Sequence, residues 1–89
     1  MFRQSAESLI DTTVQEQFAS EGLVSVQIER GTDFDGDPIF TVRVIVNNGG
    51  RTIDPQKTTS LTRQVRANLA EIGETSFPVF SFISNDDFS

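Results

Sequence analysis

Three aspartates at alternate positions, Asp33-x-Asp35-x-Asp37, are the densest grouping of metal-ligating side chains in this chain. Carboxylates so spaced can converge on a hard cation such as calcium. A helix-loop-helix calcium site beginning at Asp33 would need glycine at position 38 and glutamate at position 44, where the chain has Pro38 and Val44. Asp35-Gly36 is instead a hairpin dipeptide, because glycine accepts positive φ and aspartate tolerates it. No metal is expected. The three carboxylates read as an acidic turn able to complement a basic partner.

The remaining chemistry is sparse. The chain has no histidine and no cysteine, so its serines and threonines lack an imidazole base and no thiol is present. Asn48-Gly49-Gly50-Arg51 precedes a predicted helix, and helix N-termini attract anions. Asp54 would occupy that terminus and repel one, and no phosphate-loop or dinucleotide glycine motif occurs. Glu29 and Arg43 fall on the wet faces of neighbouring predicted strands and read as a cross-strand ion pair. No carboxylate falls in a predicted apolar pocket that would raise its pKa. No catalytic residue and no cofactor are therefore assigned, and the chain is not expected to be an enzyme.

Five elements must position these groups. Ala6, Leu9, Ile10, Val14 and Phe18 recur at helical spacing, so Ser5 to about Ser20 is predicted helical, with Ser5 as N-cap and Gly22 as stop. Phe2 is placed to fold back on the first turn. Leu23 to Arg30 alternates, with Val24, Val26 and Ile28 on one face and Ser25, Gln27 and Glu29 on the other. Gly31 to Pro38 is the turn into a second strand, Ile39 to Val46, whose Phe40, Val42, Val44 and Val46 share a face. Asp54-Pro55 announces a second helix with the stripe Leu61, Val65, Leu69 and Ile72, ending at Gly73. Ser76 to Ser84 is the last strand. Val79 and Ile83 lie on one of its faces, Phe80 and Phe82 on the other, so both are apolar.

The order α-β-β-α-β is predicted to give an α+β two-layer sandwich: a three-stranded sheet with both helices on one face. The 89 residues form one domain, with residues 85–89 a flexible tail. The third strand runs parallel to the second; it is placed beside the first strand, which is then central, the alternative being a mixed sheet in which it pairs with the second. The sheet's other face then has no covering layer. Gln27, Arg43 and Ile45, with Val79 or with Phe80 and Phe82, are its candidate interaction residues.

This element order resembles KH-like modules and ribosome-binding factor A, which would imply RNA binding. The segment after the second helix reads Gly73-Glu74-Thr75-Ser76, without the second glycine of a nucleotide-clamping G-x-x-G loop. The net charge of −6, with a single lysine and six scattered arginines, also disfavours a phosphate backbone. Nucleic acid is not expected as a partner. Neither is a membrane, since no apolar run approaches the roughly 20 residues of a spanning helix. Without a secretory signal or cysteine, the cytoplasm is the expected compartment.

The reading that follows is a small acidic, non-catalytic protein-interaction module. It acts on a protein partner or on itself, in one version as an accessory or neutralising partner of a basic protein. A KH-like nucleic-acid-binding module is the first alternative, and a small-ligand or metal-dependent enzyme the second.

Overall fold

A computed structural model describes residues 5–47, 49 and 53–84. Phe2, most of the Asn48 to Arg51 segment and the tail from Asn85 lie outside the described residues. The architecture is the expected α+β sandwich. Helix α1 (Ala6–Phe18) ends in a 3-10 turn over Ala19–Glu21. Strands β1 (Leu23–Thr32) and β2 (Pro38–Val46) follow, then helix α2 (Pro55–Glu71) and strand β3 (Phe77–Ser84).

Local chemistry accounts for the boundaries. The Ser5 hydroxyl oxygen accepts a bond from Ser8 N–H at 3.1 Å and so caps α1. Asp54 does the same for α2, its Oδ1 accepting from Gln56 N–H at 2.9 Å, with Pro55 at the first helical position. At the far end of α2, Gly73 takes a left-handed conformation, φ 76°, and Glu74 N–H returns to the Leu69 carbonyl at 2.9 Å. Gly22, φ 73°, performs the turn from the 3-10 segment into β1.

The sheet order is β1-β2-β3. β2, not β1, is therefore central: it pairs antiparallel with β1 and parallel with β3. Within the hairpin, β2 is the less polar strand on the open face, with Ile39 and Ile45 beside Thr41 and Arg43, whereas β1 has Ser25, Gln27 and Glu29 there. β1 is thus the hairpin strand suited to an edge, while β3, apolar on both faces, takes the other edge against its composition.

The core lies between the sheet and both helices. Phe40, Val42, Val44 and Val46 of β2 are buried with Ile10, Val14 and Phe18 of α1 and Leu61, Val65 and Leu69 of α2. Leu23, Val26 and Ile28 of β1 and Phe80 and Phe82 of β3 pack on it from the flanks. One buried polar link joins the helices: Thr13 Oγ1 donates to the Leu9 carbonyl at 2.8 Å and accepts from Asn68 Nδ2 at 3.1 Å. Burying a hydroxyl is tolerable because both of its roles are filled.

The face expected to hold Val24, Val26 and Ile28 loses its first member. The register shifts between Leu23 and Ser25, so Val24 sits in a bulge and is 52% exposed rather than in the core. Asn47 N–H bonds the Gly22 carbonyl at 2.8 Å, fixing that end of the hairpin and leaving the extra residue to be absorbed by β1.

Candidate functional site: the open sheet face and the outer edge of β3

Register places the open face in four rows across β1, β2 and β3. They are Gly31–Ile39–Phe77, Glu29–Thr41–Val79, Gln27–Arg43–Ser81 and Ser25–Ile45–Ile83. The rows are polar on the β1 side; along β2 and β3 the Ile39–Phe77 end with Val79 is apolar, and the polar Gln27–Arg43–Ser81 row separates it from Ile45 and Ile83. Phe77 is 45% exposed and Val79 42%, with Ile39 and Ile83 half-buried between them and solvent. Gln27, Arg43 and Val79 thus lie together on this face. Ile45 lies there too, but it is only 9% exposed, so it supports the face more than it presents an anchor.

Phe80 and Phe82 do not belong to this face. Their partners in register are Val42 and Val44, which point into the core, so both rings sit on the helix side. Alternation on β3 offered either pair, and the parallel register with β2 settles it for Val79 and Ile83. Phe82 packs 5.4 Å from the Phe18 ring and 6.2 Å from Phe80, centroid to centroid. Because β3 is at the sheet edge, these rings remain half-buried and line a cleft against Thr58, Thr59 and Thr62 of α2, about 440 Å³ in volume.

The acidic turn is ordered by its first aspartate. Asp33 Oδ1 accepts from both Asp35 N–H and Asp37 N–H at 2.9 Å, while Gly36, φ 84°, makes the reversal. Oxygens of Asp33, Asp35 and Asp37 lie within 4.8 Å of one another, and all three residues are exposed. Asp33 therefore closes a side-chain-to-backbone turn, which accounts for its presence without a cation. Phe34 stands fully exposed among these carboxylates.

The charged side chains divide into two groups. Arg30 reaches Glu7 of α1 at 3.1 Å and Glu74 of the α2–β3 turn at 3.3 Å, with its guanidinium 4.5 Å over the Phe40 ring. The hydrogen bond from Arg30 holds the Glu7 carboxyl below its ordinary range and raises the guanidinium in return. Glu74 is lowered chiefly by the Ser76 hydroxyl, which donates to it at 2.8 Å, then by Ser76 N–H. Arg43 pairs with Glu29 at 3.6 Å, as the sequence suggested, and Lys57 with Glu21 at 2.9 Å. Arg63 and Arg66 are the other group. Among the described residues neither has a carboxylate within ion-pair distance, and Arg66 lies 4.9 Å over the Phe77 ring.

Sequence reasoning took Arg63 and Arg66 as scattered arginines on the solvated part of the second helix, and it missed the cleft beside them. Their signal was the exposed face of α2, where arginines sit one turn beyond a run of threonines. The two arginines are in the helix layer and Arg43 is on the opposite side of the sheet, so the three form no common basic surface. The Gly73–Ser76 segment is occupied by the Arg30 and Ser76 contacts to Glu74. Among the described residues, no helix is long and apolar enough to cross a membrane. No family model, no curated protein and no solved structure matches this chain, and its own residues are what speak for its function.

Proposed function

We propose that this protein is a non-catalytic protein-interaction module that docks a basic partner through its open sheet face. The observation that carries this reading is the apolar group Ile39, Phe77 and Val79, with Ile83 beyond Ser81, over which no helix or strand packs among the described residues; only the Arg66 guanidinium reaches the Phe77 ring, from the edge. Contiguous apolar surface rimmed by polar groups is the usual anatomy of an interface, and Gln27, Thr41, Arg43 and Ser81 supply the polar positions. The acidic tip at Asp33, Asp35 and Asp37 lies at the Ile39–Phe77 end of this group and would steer a positively charged surface onto it. The clefts beside α2 hold hydroxyls, arginines and aromatic rings, a lining suited to binding more than to proton transfer.

Co-purification at mild salt with light scattering tests the proposal. The parent chain should emerge with a bound basic protein. A variant carrying Ile39→Asp and Ile83→Asp, neither of which lines the cleft beside α2, should lose that partner while keeping its circular dichroism. A parent chain that captures nothing, or a partner retained by the double variant, would overturn the reading.

A further inference from the structure

We propose that the cleft between α2 and the outer edge of β3 binds an extended acidic peptide segment, which adds to β3 as a fourth strand. The cleft shares Phe77 and Val79 with the open face, but it is argued from the strand edge and the α2 arginines, so it does not rest on the open-face reading.

Three observations carry it. β3 is an edge strand with β2 as its one neighbour, and no backbone bond outside the sheet ladder engages residues 77–83 among the described residues. Such an edge is a template for another strand. Next, the cleft is lined by four consecutive residues, Phe77 to Phe80. Side chains alternate along a strand, so consecutive residues can line one cleft only where the backbone edge itself forms a wall. Pro78 lacks an N–H, which an edge tolerates, and it leaves the ladder of donors to the residues after it.

The third observation is charge. α2 carries Lys57, Arg63 and Arg66 against the single carboxylate Glu71, on a chain of net charge −6. Among the described residues, Arg30, Arg43 and Lys57 each have a carboxylate partner, whereas Arg63 and Arg66 have none. These two arginines line the depression that adjoins the cleft through Thr59 and Thr62. The threonine wall is largely satisfied already: Thr58 and Thr59 donate to the Pro55 carbonyl at 2.8 and 3.0 Å, and Thr62 to the Thr58 carbonyl at 3.1 Å. The cleft thus offers apolar lining and a strand edge, with an unpaired positive rim. An acidic extended segment with interspersed apolar side chains matches all three. A second copy pairing edge to edge matches less well, because it would set two α2 helices side by side with their arginines facing.

A random-peptide phage library selected on the full chain provides the probe, with enriched peptides resynthesised and titrated by fluorescence anisotropy. Enriched sequences should be acidic. Binding should weaken by about tenfold or more when Arg63→Glu and Arg66→Glu are combined, a change at exposed positions whose folding circular dichroism verifies. Methylating alternate amide nitrogens of the peptide should abolish binding in one phase of alternation and spare it in the other, since only one edge of the added strand meets β3. Ile39→Asp on the open face should leave the affinity unchanged. The proposal is overturned by enrichment of neutral or basic peptides, by no enrichment, by indifference to charge reversal, by indifference to amide methylation, or by loss of binding in Ile39→Asp.

Discussion

Arg30 ties three elements with one guanidinium: α1 through Glu7, the α2–β3 turn through Glu74, and the Phe40 ring of β2 beneath it. The pH consequence follows from the two depressed carboxylates. A group whose folded pKa lies below its unfolded value stabilises the fold above the unfolded pKa, and that stability is lost as pH falls through the folded one. With no histidine in the chain, thermal midpoints should be nearly flat from about pH 6 to 8 and fall below about pH 4.5. Arg30→Gln should flatten that acid limb and reduce its salt dependence, measured by thermal melts across pH. The effect should be modest, because the pair is solvent-exposed. Asp33 offers a second test. Replacing Asp35 and Asp37 together by alanine should leave the melting temperature nearly unchanged, whereas Asp33→Ala should cost about 1–2 kcal/mol by releasing two backbone donors. Calcium should raise neither the parent nor the double variant; a rise in the parent alone would make the turn a cation site. The turn itself was legible in the sequence, from Asp35-Gly36 and from Pro38 and Val44 where a calcium loop needs glycine and glutamate. That Asp33 closes it through two backbone N–H groups was not, because those groups are placed only by the folded backbone.

Elements were more legible than residues. Both helices, their caps at Ser5 and Asp54, and all three strands follow from periodicity and capping chemistry, because those signals are local. Val24 was misread for the opposite reason. A bulge answers to contacts distant in sequence, here the closure of Gly22 against Asn47. Gly22 is accordingly the backbone position under greatest constraint. It has positive φ, and an added Cβ would collide with the Asn47 carbonyl oxygen. Gly22→Ala should destabilise the fold by roughly 1–3 kcal/mol in denaturant titration. Gly36→Ala faces no neighbouring atom and should cost less, mainly through its left-handed φ. Equal losses at the two glycines would remove the Asn47 contact as the cause.

At the scale of the whole molecule, the layering was legible and the strand order was not. Two amphipathic helices and a hairpin with one apolar face admit a single two-layer arrangement. Placing β3 beside β1 or beside β2 buries the same local pattern, so helix and strand signals cannot separate them. Ile39 and Ile45 on the second face of β2 were the only sequence hint, and their meaning depends on the central position they helped to argue. The same indeterminacy hid the site. Until β3 was known to be an edge parallel to β2, neither the cleft of Phe80 and Phe82 nor the unpaired Arg63 and Arg66 could be seen as one place.

The central position of β2 also sets a clock. Its amides are bonded on both sides, so they can meet solvent only when a neighbouring strand leaves or the whole domain opens. In deuterated buffer, amides from Thr41 to Ile45 should be the slowest in the molecule to exchange. Those of β3 should split by alternation: the set facing β2 should be slow, and the set facing outward should be replaced almost at once. β1, the other edge, should split in the same way, so both edges answer the solvent while the central strand is silent.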